Sequence, residues 1–169
     1  IVDQELAGTV RNGATPRKGP VFVEVCLDAQ GAPVDATNID VSADDNALEP
    51  LVLAARDAFP DVHRRLLAAH RPVVLIGGGV APGAFRGMRD RWAQVGLPVM
   101  TTWNGFDRVP DDFPYFAGRP NTWGQRSANI LLAQADLVLV LGSRLGLQQT
   151  GFNWQEWTNG EVIQVDVDG

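Results

Sequence analysis

Arg71-Pro-Val-Val-Leu-Ile-Gly-Gly-Gly-Val80 decides the fold. From Pro72 to Ile76 five apolar residues run on without alternation. That is the pattern of a strand buried on both faces, as in a parallel sheet covered by helices. Gly77, Gly78 and Gly79 follow at once. Without a Cβ in the way, their backbone amides can approach a ligand, and in open α/β sheets ligands bind just beyond the carboxyl ends of strands. A second strand-to-glycine signal comes later, in Ala135-Asp-Leu-Val-Leu-Val-Leu-Gly-Ser-Arg144. The two strand ends are expected to wall one crevice. The competing reading is that the glycines only allow tight packing.

Working outward, Pro82 suits the first turn of a helix reaching about Val95, with Phe85, Met88, Trp92 and Val95 on its sheet-facing side. Gly96 ends that helix, and Leu97 to Thr101 is the next strand, completing a βαβ crossover. Residues 125 to 133 read as a helix carrying Ile130, Leu131 and Leu132, and Leu137 to Leu141 and Glu161 to Val165 read as strands. The fold class is therefore α/β, a doubly wound, mostly parallel sheet. Upstream, Asp44 or Asp45 can cap a helix from about Ala47, with Leu48, Leu51, Val52 and Ala55 on one face. Pro60 is expected to interrupt it and Asp61 to cap a second segment, in which Leu66 and Leu67 point inward while Arg64 and Arg65 face water. His63 and His70 lie on that segment without a third ligand, so helix-surface histidines are the expectation rather than a metal site.

The amino-terminal part has another character. Residues 4 to 12 read as the end of a helix, Val21 to Val25 as a β-rich run, and 31 to 46 show no periodicity. A division follows: 1–31 as the tail of a preceding domain, 32–46 as a linker, and 47–169 as the main domain. A lone strand does not persist in water, so the sheet of Val21 to Val25 is expected elsewhere. Cys26 lies in an apolar run and reads as a small buried hydrophobe.

Composition narrows the function. The 169 residues are 45% hydrophobic and 20% charged, ordinary for a globular domain. A net charge of -6 argues against a nucleic-acid partner. No apolar run approaches a membrane span and no secretory signal is visible, so a cytoplasmic protein with no membrane partner is expected. The nicotinamide dinucleotide pattern fails: Gly77, Gly79 and Gly83 are spaced one residue too long, and Met100-Thr101-Thr102 offers no carboxylate to a ribose. Another nucleotide, held by amides and hydroxyls, stays open. The long loop from Trp103 to Gly124 is of a length usually tied to function, and Trp103, Asn104, Thr122 and Trp123 suit a flat cleft for a planar ring or, equally, a cover for the sheet edge. Arg144, just past a buried strand, suits an anionic ligand group, or an ion pair with a linker carboxylate. Asp166 and Asp168, at the last strand's end, suit a ribose.

Several segments, in order, resemble one family. Gly19-Pro-Val-Phe-Val-Glu-Val-Cys-Leu-Asp-Ala-Gln30 is similar to the end of the pyrimidine-binding domain of thiamine diphosphate enzymes. Arg71 to Gly79, Leu97 to Thr102, Ala135 to Arg144 and Val162 to Asp168 are similar to their central domain, most of all in acetolactate synthase large subunits. The resemblance implies a three-domain, oligomeric parent that decarboxylates a 2-keto acid and joins the product to a second carbonyl. Thiamine diphosphate and magnesium would lie between the flanking domains, outside this chain. The activating glutamate would belong to the early first domain, so Glu24 is not that residue, and no residue here takes a catalytic or metal role. The resemblance also implies FAD in a structural role, near Gly77, Gly78, Gly79, Thr101, Thr102, Trp103, Gly124, Ser143, Arg144, Asp166 and Asp168. Two departures stand out: a neutral Leu145-Gly-Leu-Gln-Gln149 where the family carries a charged run, and Thr122-Trp123 where it has methionine and histidine. Another adenine nucleotide, or none, is open on these grounds. The alternatives are a non-catalytic nucleotide-binding module and a purely structural domain.

Overall fold

The computed structural model describes residues 2–14, 19–33, 37 and 49–167. The Asp44 and Asp45 caps, most of the expected linker, and Asp168 lie outside the described residues. The chain divides into two compact units, residues 1–56 and 57–167.

In the first unit α1 spans Val2–Ala14 and α2 spans Leu27–Gln30. Gly19 donates to the Gly13 carbonyl at 3.0 Å, turning the chain back after α1. Residues 20 to 26 have no regular structure, are exposed, and pair with no strand among the described residues. The β-rich run Val21 to Val25 is thus a strand-like sequence with no strand beside it among the described residues, and a strand is defined by its partner. Cys26 is exposed here rather than buried.

In the second unit the sequence pattern translates almost directly into a sheet. α3, Glu49–Ala68, leads into β1, Pro72–Ile76. Two short helices follow, α4 (Ala84–Gly87) and α5 (Arg89–Val95), then β2 (Val99–Thr101) and a 3-10 turn at Trp103–Gly105. Then come β3 (Phe116–Gly118), α6 (Arg126–Gln134), β4 (Leu137–Leu141) and β5 (Glu161–Val165). Strand order is β3-β2-β1-β4-β5, every pair parallel. The sheet is the doubly wound α/β arrangement expected, with β1 at its centre.

Alternation along the strands supplies two cores. Val73 and Leu75 of β1, Met100 of β2, and Val138 and Val140 of β4 face α6, where they meet Ala128 and Leu132. Val74, Ile76, Val99, Leu137 and Leu139 point the other way, to Phe85, Val62, Leu66 and Trp92. Each fully buried Val, Leu or Ile contributes about 1.5–3 kcal/mol.

Local expectations are corrected in four places. Pro60 does not break α3; Arg56 and Pro60 both lie on the exposed side, where water can satisfy the carbonyl that proline leaves unbonded. Leu67 is 74% exposed rather than inward, because the adjacent Leu66 takes the core-facing position. The helix expected from Pro82 to Val95 is two helices, divided at Met88, whose backbone leaves helical geometry after Gly87. Phe85 and Trp92 stack across that break, 5.6 Å apart, while Met88 and Val95 are exposed. β3 was hidden in the long loop and is held by β2, with Val99 donating to the Tyr115 carbonyl at 2.9 Å. Among the described residues no helix is long and apolar enough to cross a membrane.

Candidate functional site

The chain runs β1 to β2 to β3 in one direction, then returns past β1 to β4 and β5. That reversal puts the switch point of the sheet between β1 and β4, which are in register with Ile76 beside Leu141. Ligands in open parallel sheets bind at the carboxyl ends of the strands at such a point. Both glycine turns sit there.

The turns are interlocked. Gly77 donates to the Leu141 carbonyl at 2.8 Å, Gly79 to the Gly142 carbonyl at 2.9 Å, and Gly142 to the Val165 carbonyl at 2.8 Å. A Cβ on Gly77 would come within 2.6 Å of the Ser143 Cβ and closer still to the Gly142 carbonyl. Gly142 also has φ 63°, in the left-handed region. Packing and crevice are therefore not alternatives: the glycines let two backbones touch, and the contact forms the floor of a hollow. Arg108 fixes the first turn from outside, donating from Nε to the Val80 carbonyl (2.6 Å) and from Nη2 to the Gly78 carbonyl (3.1 Å). With those carbonyls engaged, the Gly78, Ser143 and Arg144 amides donate to no acceptor among the described residues.

Above this floor lies a cleft of about 1280 Å³. Gly78, Gly79, Thr102, Trp103, Asn104, Trp123, Ser143 and Arg144, of the residues singled out from sequence, line it. Arg144 is exposed and makes no ion pair among the described residues, and the linker carboxylates considered as its partner lie outside them. It is also the one charged side chain in the lining. An array of free amides beside an unpaired guanidinium suits a diphosphate.

The other sequence candidates sit elsewhere. Gly77 is buried beneath the turn, serving packing. Thr101 is fully buried at the end of β2, its hydroxyl without a partner. Gly124 closes a turn by donating to the Asn121 carbonyl at 3.0 Å. Asp166 accepts from the Val167 amide at 2.7 Å and is not part of the lining. Among the described residues no group of three His, Cys, Asp or Glu side chains is placed to hold a metal. His63 stacks on Phe59, and the His70 amide donates to Asp136.

The far wall was legible only in part, through the Leu145–Gln149 run that departs from the family pattern. Gly142, Asn121 and the stretch Gly146 to Gln149, with Phe152, complete the lining. The segment after β4 reaches across to the loop after β3: Thr122 donates from its amide (3.1 Å) and its hydroxyl (2.9 Å) to the Gln148 carbonyl, and Gln149 Nε2 donates to the Pro120 carbonyl. Leu145 and Phe152 hold φ values of 53° and 63°, unusual for residues with a Cβ, at the two ends of this arch. The aromatic, Gly-rich composition of these loops was the available signal; their meeting depends on contacts over 26 residues of separation.

The family model for the central domain of thiamine pyrophosphate enzymes matches residues 60–169. Acetolactate synthase isozyme 1 large subunit of Escherichia coli K12 is 30% identical over 167 residues, covering 98% of this chain and 29% of that protein. Glyoxylate carboligase of Escherichia coli O157:H7 is 28% identical over 172 residues, covering 98% and 27%. Sulfoacetaldehyde acetyltransferase of Castellaniella defragrans is 39% identical over 115 residues, covering 64% and 19%. The chain thus spans less than a third of the length of these relatives.

Proposed function

The chain belongs to the thiamine pyrophosphate enzyme central-domain family, and from that premise we propose that it is the nucleotide-binding central domain of a 2-keto acid decarboxylase or carboligase resembling acetolactate synthase. In this reading thiamine diphosphate and magnesium are held by flanking domains of an oligomeric parent, and thiamine diphosphate supplies the electron sink for decarboxylation. The residues of this chain bind and position; none takes part in bond breaking.

The observation that carries the proposal is the meeting of free Gly78, Ser143 and Arg144 amides with an unpaired Arg144 side chain at the β1–β4 switch point. A diphosphate seated there would take hydrogen bonds from the amides and charge from Arg144. Trp103 and Trp123, both exposed in the cleft, would then offer aromatic faces to a heterocycle. FAD and ADP both have these parts. The neutral wall of Leu147, Gln148 and Gln149 leaves the charge recognition to the β4 turn for either.

Calorimetric titration of the purified protein with FAD and with ADP, together with flavin absorbance as isolated, tests the reading. Saturable binding of either at one site per chain supports it. Failure of both to bind would leave a purely structural domain.

A further inference from the structure

Each open amide of the two glycine turns is one half of a peptide unit whose other half is engaged. The peptide bonds there are trans, and a trans unit sets its N–H and C=O on opposite sides. The Gly78 amide shares its unit with the Gly77 carbonyl, which accepts from the Val80 amide at 3.3 Å. The Ser143 amide shares its unit with the Gly142 carbonyl, which accepts from the Gly79 amide at 2.9 Å. Backbone therefore fixes both. The Arg144 amide differs. Its unit carries the Ser143 carbonyl, which accepts from the Gln164 side chain, Nε2, at 3.0 Å and from no backbone amide among the described residues. Gln164 stands on β5 in register with Val140 of β4, on the face of the sheet that packs against α6. It is exposed and is not part of the cleft lining. The Ser143 carbonyl is thus turned toward β5, and one side chain outside the cleft holds it there.

We propose that Gln164 is a positioning residue of the anion site: by holding the Ser143 carbonyl toward β5 it sets the Arg144 N–H toward the cleft, where a phosphate oxygen accepts it. This rests on the part of the reading above that seats a diphosphate at the two turns, and it adds the residue on which one of the three amides depends. The rest of Ser143 is consistent with that role, since its Oγ accepts from the Leu145 amide at 3.3 Å and so is occupied on the far side of the same unit. Without Gln164 the Ser143–Arg144 unit loses the one bond that selects its orientation. Turned the other way it would set a carbonyl oxygen against the phosphate, an acceptor in place of a donor.

Two variants test this. Gln164→Met keeps a side chain of similar length without the donor, and Gln164→Glu puts an acceptor-only carboxylate in its place. Both, after a melting curve confirms folding, are titrated beside the wild type with inorganic pyrophosphate and with ADP, and the backbone amide resonances of Gly78, Ser143 and Arg144 are followed by nitrogen-15 NMR. In the wild type all three should move on titration. In Gln164→Met the Arg144 movement should be lost while that of Gly78 persists, and affinity should fall about tenfold for pyrophosphate and ADP alike. Gln164→Glu should lose at least as much. A merely structural role would leave the Arg144 movement and the affinity at wild-type size, or abolish all three movements together, and either result overturns the assignment while leaving the nucleotide reading intact. Wild-type amides that respond to neither ligand overturn it too. A wild type that binds pyrophosphate with these movements but takes neither ADP nor FAD removes the nucleotide reading and leaves Gln164 in its role.

Discussion

The two edges of the central sheet are built from similar residues and end differently. At the amino-terminal edge, polar groups are used up on one another. Asp136 accepts from the His70 amide (2.7 Å) and the Arg71 amide (2.8 Å), while Arg71 Nε donates to the Gln134 carbonyl (2.7 Å). Thr158 and Asn159 donate to the Leu132 and Ala133 carbonyls. Glu161 donates from its amide to the Asp136 carbonyl, and Arg65 pairs with the Glu161 carboxylate. At the carboxyl-terminal edge, donors are held in place and left open: the Gly78, Ser143 and Arg144 amides and the Arg144 guanidinium. The first edge stabilises the fold. The second is rigid without being satisfied, which is what preorganised binding requires.

The sharpest way to break that contrast is to wedge the open edge apart. Gly77→Ala puts a methyl group against the Gly142 carbonyl and the Ser143 Cβ, where backbone rather than a flexible chain would have to move. A destabilisation of about 3 kcal/mol in urea unfolding is expected, and a loss below about 1 kcal/mol would show that the turns are not interlocked. Next in size is Arg108→Met. It keeps the apolar stem of a side chain only 12% exposed and removes the bonds to Gly78 and Val80. About 2 kcal/mol should be lost. Hydrogen exchange of the Gly79 and Val80 amides should quicken, and unchanged protection there would mean the turn holds itself.

How far the contrast was readable in the sequence follows from the range of the interactions. β1 and β4 announce themselves, because a strand buried on both faces needs only its own apolar run. The glycine turns follow from the same short stretches, and the crevice between them was legible for that reason. β3 was not: Phe116–Gly118 is three residues long and is a strand only because β2 lies beside it. The meeting of the Asn121 and Gln148 loops was equally out of reach, being a contact between segments 26 residues apart in sequence. Asp166 was legible as a carboxylate at a strand end, whereas its bond from the Val167 amide is a local contact that the strand pattern does not announce.

Arg144→Gln separates the edges by function rather than stability. With no ion pair to lose among the described residues and an exposed side chain, the variant should unfold within about 0.5 kcal/mol of the wild type. Affinity for ADP or FAD should fall about tenfold, the worth of a charged hydrogen bond. Loss of stability with unchanged binding would move Arg144 to the satisfied class and close the open edge.

The smallest effect belongs to Asp136, and it is read through pH. Burial pushes its carboxyl up, but the His70 and Arg71 amides, its own amide and the Arg71 charge together outweigh that and hold it below the ordinary value. A carboxyl whose folded pKa is depressed contributes stability that is present above the unfolded value, about 3.9, and is lost as pH falls through the lower folded value. Asp136→Asn replaces one acceptor oxygen with an amide NH2 that faces a backbone donor, so the variant should be less stable near about pH 7. The deficit should shrink on acidification below about pH 4, where the wild type gives up the same contribution by taking a proton. Urea midpoints for both proteins across that range measure it, and nucleotide affinity should not change at any pH where both are folded. A gap that stays constant into strong acid would mean that the carboxylate's charge is irrelevant at this edge and that packing against Gly160, whose added Cβ would lie 2.8 Å from the Asp136 carbonyl carbon, holds the strands together there.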